Sequence, residues 1–458
     1  MTLQDAISIA QQNGAQAKVA IGARDAARAR DRAFGTQYMP LLSVGGQIPA
    51  YTRSITPVTQ PDGSTLYQPL QQATSALTAN VTQRVPWTNT TFNISSALSQ
   101  VRVDGPNGVK RWSSTPLQVG ISQPLFRANA QSWDREQQEL RYTSAERRYL
   151  EAREDVALSV INAYFDFFSA TTAVTNAQNN LRTNDTLYTL NQGRFEVGKI
   201  GENDLLQSEL ALLRSRSSLD DARLQHDRTL AQLRLVLGLP NNTPVTLAAP
   251  AGVPNVDADT SLAIAQAKRN SSQMSDAELQ EVNADRAVSE SRWNLGSGGT
   301  LNASFGYNAA GTNASEAYRD VLNAQTLTLS VNFPVWQWGS HGAQMAAASA
   351  DRGSARSNSQ NTRAQVELNA RFAALQLTQA NRALTIAAKA DTVAAKRFDV
   401  AYNRYVISKI NIDNLYLAQN EKDQALGSYV QALRNYWTAY YQLRKTTLYD
   451  FEKKQSLR

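Results

Sequence analysis

Residues 194–209, RFEVGKIGENDLLQSE, return in altered form 210 residues later as RYVISKINIDNLYLAQ, residues 404–419. Arg194/Arg404, Lys199/Lys409, Ile200/Ile410 and Leu205/Leu415 are identical, and Phe195/Tyr405, Val197/Ile407 and Asp204/Asn414 are close exchanges. An internal repeat constrains a fold strongly, because a whole unit has been duplicated and both copies must follow one plan. LQVGISQPLF (117–126) falls on LTLSVNFPVW (327–336) at the same offset, aligning Pro124 with Pro334. Further upstream AISIAQQN (6–13) resembles AIAQAKRN (263–270) at an offset of 257, so the first copy holds 47 extra residues before Pro124.

Between these landmarks the pattern is helical. Val156, Val160, Ala163, Phe167, Ala170, Val174, Ala177 and Leu181 alternate steps of four and three, a heptad seam of period 3.5. Val366, Ala370, Ala373, Leu377, Ala380, Leu384 and Ala387 repeat it in the second copy, and such a period predicts a left-handed coiled coil. Ile161, Phe165 and Phe168 widen the first seam enough for more than one neighbour. The spacing predicts long helices over 128–197 and 340–407, each about 105 Å at the usual rise. Shorter helices are expected at 2–36 and 203–237, and again at 259–294 and 411–446. Two short helices end to end match one long helix, so each chain supplies four staves of equal height.

The joining segments, 40–125 and 299–334, are β-like. In TLTLSVNF, Leu327, Leu329, Val331 and Phe333 alternate with Thr326, Thr328, Ser330 and Asn332, and GTLNASFGYNA alternates likewise. Nine or ten residues of period two suit a strand crossing a bilayer in a barrel, and equally a half-buried soluble sheet. The 47 extra residues contain two more alternating runs, LTANVTQ and FNISSAL; they read as an added hairpin outside the membrane, with two further barrel strands as the alternative. Pro124 and Pro334 end strands, and Trp133, Trp336 and Trp338 follow where an interfacial aromatic belt or core packing would place them. PNNTPVTLAAPAGVPNVD, residues 240–257, reads as a linker between a first repeat, 1–239, and a second, 258–458.

Composition removes other classes. The chain has no cysteine, excluding disulfides, thiolate metal sites and Cys nucleophiles and fitting an oxidising envelope. The net charge of +7 comes from Arg and Lys scattered among Asp and Glu, not from the dense basic block of a nucleic-acid groove. His226 and His341 stand apart without carboxylate clusters, so no metal site is expected. No cofactor motif, nucleophile elbow or phosphate loop is present, and no enzymatic activity is expected. No apolar run is long enough for a transmembrane helix, which leaves a barrel open. The opening MTLQDAISIAQQNG lacks the apolar core of a signal peptide, which predicts a cytosolic protein or a mature form starting at a new Met.

Four strands per chain cannot close around a channel, and an open edge in hydrocarbon is forbidden. Two chains would give eight strands and a filled interior; three would give twelve and a water-filled lumen. In its order of elements, TLQDAISIAQQN, SQPLF and NFPVW, RFEVGKIGENDLLQSE, LRLVLGLP and DNLYLAQNEKDQALGSYVQALRNYWTAYYQL, the chain resembles the TolC-like family of outer-membrane efflux and secretion channels over nearly its whole length. The resemblance implies a mainly α fold of two tandem repeats. Long coiled-coil helices would form a periplasmic α-barrel continuous with an outer-membrane β-barrel, closed by trimerisation in the lipid of a Gram-negative outer membrane. It implies a homotrimer docked through a periplasmic adaptor, or membrane fusion protein, to an inner-membrane pump or ABC transporter. Small molecules or secreted polypeptides would pass through it to the exterior. The competing reading is a soluble coiled-coil scaffold without channel activity.

By the same resemblance the adaptor docks at the helix-reversal turns, Val197, Gly198 and Lys199 in copy one and Ile407, Ser408 and Lys409 in copy two. Ser408 departs from the family's usual Gly. A pore constriction would fall at Asn414 and Leu417, with Asp413 adjacent, and would be less acidic than in some relatives; an Asp in NIDNL is also a candidate helix cap.

Overall fold

The computed structural model describes residues 1–457 apart from 106–107, 249–251, 255 and 294–297. In chain order the helices are α1 (Leu3–Asn13), α2 (Ala15–Thr36), α3 (Ala130–Glu196), α4 (Glu202–Leu237), α5 (Thr260–Asn270), α6 (Ser272–Trp293), α7 (Ser340–Val406) and α8 (Ile412–Thr447). The strands are β1 (Leu41–Thr59), β2 (Thr65–Val85), β3 (Thr90–Asp104), β4 (Val109–Leu125), β5 (Gly298–Gly311), β6 (Leu322–Asn332), β7 (Tyr449–Asp450) and β8 (Gln455–Ser456). Helix lengths run 11, 22, 67 and 36 residues in the first copy and the same in the second. The linker expected at 240–257 lies partly outside the described residues.

One correction concerns the short helices. The stretches 2–36 and 259–294 are not single helices, because Gly14 and Ser271 break them at positions 257 apart, the offset of the repeat. Both residues are extended and close the preceding helix with a backbone N–H, Gly14 to the Ala10 carbonyl and Ser271 to that of Ala267. Ser271 also accepts the Gln273 N–H at its hydroxyl, capping α6. At Gly14 a side chain has no room: a Cβ would lie 2.5 Å from the Ala10 carbonyl oxygen and 3.1 Å from that of Val236. The starts of α1, α5 and α8 are fixed by side chains in the same way, through the Thr2/Asp5 capping box, Asp259 and Asn411.

The chain divides into two compact units. One comprises Met1–Ala27, Thr143–Ala277 and Gln360–Arg458. Its core buries the α3 seam from Val156 to Phe167 against Leu3, Ala6, Ile7 and Ala10 of α1, Ala373, Ala374 and Leu377 of α7, and the aromatic face of α8. The closing YWTAYYQL supplies that face: Tyr436, Trp437, Tyr440 and Tyr441 are all buried, with edge-on ring contacts along the helix. Large side chains of this kind each contribute about 1.5–3 kcal/mol on burial, which is why α8 is held along its C-terminal half. His226 is half-buried against the Phe167 ring, centroids 5.0 Å apart.

The other unit, Arg28–Tyr142 with Glu278–Ser359, holds a six-stranded sheet in the order β1-β2-β3-β4-β5-β6, every pair antiparallel. This overturns the count of four strands per chain. The extra residues of copy one form β2 and β3, which lie inside the sheet between β1 and β4. Among the described residues no helix is long and apolar enough to cross a membrane.

Candidate functional site

The two helix reversals belong to one unit and share one backbone geometry. Gly198 has φ 71° and Ser408 has φ 59°, both left-handed. In each, the left-handed residue donates its N–H three residues back, Gly198 to Phe195 (2.9 Å) and Ser408 to Tyr405 (2.9 Å). The next residue donates five back, Lys199 to Arg194 and Lys409 to Arg404, both 2.8 Å, which is the Schellman closure of a helix end. Ser408 therefore departs in side chain but not in shape, at the roughly 1–2 kcal/mol a left-handed non-glycine carries. Replacing Ser408 with Gly is expected to raise stability by about 1 kcal/mol, read as a higher denaturation midpoint, with the turn unchanged.

Val197 and Ile407 project from the tips, 66% and 64% exposed, with Lys199 and Lys409 exposed beside them. Beneath the tips a small cluster of Leu187, Tyr405, Ile412 and Leu415 fixes the ends of α3, α7 and α8. Sequence reasoning missed what ties one turn to the other. Arg194 Nη2 donates to the Val406 carbonyl at 2.8 Å, satisfying an orphan acceptor at the end of α7, and its guanidinium lies 5.2 Å from the Tyr405 ring centroid. The Tyr405 hydroxyl in turn donates to Asn191 Oδ1 at 2.7 Å; burial pushes this phenol's pKa up. Arg194 and Arg404 were visible as a repeated identity, yet periodicity says nothing of a partner on another helix.

The residues expected at a constriction lie in the first turns of α8. Asp413, Asn414 and Leu417 are all exposed. Asn411, not Asp413, caps the helix: its Oδ1 accepts the Asn414 N–H at 3.2 Å and Asn414 Nδ2 at 2.6 Å. Asp413 Oδ1 accepts instead from Gln207 Nε2 of α4 at 2.7 Å.

A second heptad seam runs along α7, two residues out of phase with the buried one. Leu368, Phe372, Leu375, Ile386, Val393 and Val400 keep its register and are all exposed, with Gln379, Arg382, Lys389 and Lys396 at the positions between them; Leu206, Leu210, Leu213 and Leu224 on α4 are exposed as well. Rows that mix exposed large apolar residues with long polar ones in heptad register are the pattern of a helix that packs against a further partner.

Residues 6–239 match the sequence profile of a family described as outer membrane efflux protein. No curated protein sequence matches the chain. Among solved structures, the Campylobacter jejuni CmeC outer membrane channel has 14% identity and a TM-score of 0.69, covering all of this chain and 87% of that one. The outer membrane protein VceC of Vibrio cholerae has 13% identity and a TM-score of 0.69, covering 97% and 95%. The open state of the Neisseria gonorrhoeae MtrE outer membrane channel has 14% identity and a TM-score of 0.63, covering 97% and 88%. The fold is thus shared over nearly full length at low identity. With the profile spanning more than half of the sequence, the chain belongs to the outer membrane efflux protein family, whose channels work in the Gram-negative outer membrane.

Proposed function

We propose that three copies of this chain, each built from repeats 1–239 and 258–458, close one outer-membrane channel-tunnel. The tunnel passes small molecules or secreted polypeptides to the exterior without an enzymatic step. The observation that carries the trimer is the heptad row of exposed apolar residues on α7 together with the exposed leucines of α4: both call for a coiled-coil partner that the described residues of the chain do not supply. A ring of identical subunits satisfies each seam with its neighbour's surface.

The six reversal turns of the trimer are the docking surface for a periplasmic adaptor joined to an inner-membrane pump or ABC transporter. Val197 and Ile407 act as apolar anchors, and Lys199 and Lys409 supply positive charge around them. Asp413, Asn414 and Leu417 line the narrow part, where three Asp413 carboxylates favour cations.

The test is one pair of measurements. The purified chain in detergent is expected to be a trimer that conducts ions in planar bilayers, and a non-conducting monomer overturns the reading. The double variant Val197→Asp, Ile407→Asp is expected to keep trimer and conductance but lose export in cells. Two apolar anchors at about 2 kcal/mol each would weaken docking by several hundredfold or more. Full export by that variant would remove the turns from the docking surface.

A further inference from the structure

We propose that β2 and β3 are lipid-facing barrel staves, so that the closed trimer carries eighteen strands, not the twelve that four per chain would give. The inference rests on the trimeric channel reading and concerns what that reading leaves open, the width of the barrel.

The first argument is the register. Directly opposed residues of an antiparallel sheet share a face. One row runs Leu42, Val81, Ile94, Val119 and Phe305 across β1 to β5 without a polar interruption. The adjacent row on the opposite face runs Thr82, Asn93, Gly120, Ser304 and Thr326 from β2 to β6. Polar side chains lace this second face together: Gln118 Nε2 donates to Ser304 Oγ at 3.2 Å and Ser122 Oγ to Asn302 Oδ1 at 2.8 Å. A hairpin lying in water has no need of one apolar face in register with its neighbours. β2 and β3 have it, and their apolar residues continue the band of β4 and β5.

The second argument is where the β2–β3 turn sits. A hairpin added beyond the outer loops would place its turn at the end of the sheet remote from the strand-to-helix junctions. Instead, Asn129 Nδ2, just before α3, donates to the Pro86 carbonyl at 2.9 Å, and Gln131 Nε2 donates to Asn89 Oδ1 at 2.9 Å. The turn therefore lies level with the start of α3. Trp87 at its tip is 78% exposed, and Phe126, Trp336 and Trp338, where β4 and β6 leave the sheet, are exposed as well. Exposed aromatics at one end of a sheet, flanking an apolar band, are what a barrel's interfacial girdle requires.

Closure follows from parity. With six strands in an antiparallel meander, β1 and β6 run in opposite directions, so β1 of one copy meets β6 of the next in the same antiparallel pairing as the other five. Both outer edges lose their unpaired backbone groups, as hydrocarbon demands. With strands about 4.8 Å apart and tilted about 40°, twelve strands give a backbone diameter of about 24 Å and eighteen of about 36 Å. A lumen of the second size clears a helix of about 10–12 Å with room to spare, so the barrel would not select solutes by size.

Because the chain has no cysteine, a single introduced Cys reports alone. Two pairs in β2 and β3, Thr82→Cys with Val81→Cys and Asn93→Cys with Ile94→Cys, are compared in proteoliposomes with a control pair in β4, Gln118→Cys with Val119→Cys. A water-soluble maleimide should label the polar member of every pair about tenfold faster. A bimane should be quenched by brominated acyl chains only at the apolar member. If β4 alternates while both members of the β2 and β3 pairs label alike and escape quenching, the hairpin lies outside the bilayer and the eighteen-strand barrel is wrong, though the channel stands. If β4 also fails to alternate, the sheet is not in lipid and the channel reading falls with it.

Discussion

Replacing Arg444 with Met should loosen the C-terminal half of α8 more than any other single change to a polar side chain described here. Arg444 lies in the core between two carboxylates: Nε and Nη2 donate to Glu154 of α3 at 3.1 and 3.2 Å, and Nη1 donates to Asp450 of β7 at 2.8 Å. Both carboxylates are only 5% exposed, and the guanidinium also lies 5.1 Å from the Tyr441 ring centroid. Removing one member of such a group leaves buried charge without its partner, which costs about 3–5 kcal/mol. Hydrogen exchange of the α8 amides should then quicken by about a hundredfold or more, since 1.4 kcal/mol is tenfold. An unchanged rate would mean that Arg444 contributes packing alone.

The pH dependence of this variant has a definite sign. Burial raises the pKa of Glu154 above its ordinary value, and Arg444 opposes the rise. Without Arg444 the rise is larger. A group whose folded pKa lies above its unfolded pKa is favourable to the fold below the unfolded value and loses that contribution as pH climbs through the folded one. The deficit of Arg444→Met should therefore shrink in acid, where Glu154 holds a proton, and be full at neutral pH. A deficit that grows in acid would show that some other group governs the site.

The second large effect is expected at Gly238, which ends α4. Its φ is +68°, and a Cβ there would lie 2.5 Å from the Asn13 carbonyl oxygen and 2.9 Å from its carbon. Gly238→Ala adds left-handed strain of about 1–2 kcal/mol to an overpacking cost of about 1–3 kcal/mol, giving about 2–5 kcal/mol. Gly198 separates the two causes, because it has φ +71° and nothing within 4 Å of a Cβ. Gly198→Ala should cost only the strain, about 1–2 kcal/mol. Equal denaturation midpoints for the two variants would show that α1 yields to Gly238→Ala and that the close approach to Asn13 carries no energy.

The sequence carried the helical plan because heptad spacing is local and repeated. Val156 to Ala170 and Val366 to Leu377 could be assigned to a buried face from their spacing alone, and the structure buries them. The breaks at Gly14 and Ser271 are hidden because the apolar pattern continues across them, although Asn13-Gly14 and the Asn270-Ser271-Ser272 cluster are breaker signals. Alternation in LTANVTQ and FNISSAL gives the face of each residue but not which strands are neighbours, so from sequence alone these runs read as a hairpin apart from the sheet that contains them. At the turns, the tips were legible as a repeated motif. Asn411 as the cap of α8, Gln207 against Asp413, and Arg194 reaching Val406 all join residues far apart or differently phased, and no periodicity encodes them.

The placement of β2 and β3 explains why one copy tolerates an insertion that the other lacks. Two strands joined by a tight turn take the chain out and bring it back to the same level, heading as before, so the helix that follows starts where it would have started. A lone added strand would deliver the chain to the wrong side and leave 67 residues of α3 pointing away from their partners. Girth in such a wall is thus adjustable only in steps of two, and each step leaves the stave lengths, identical in both halves of this chain, untouched.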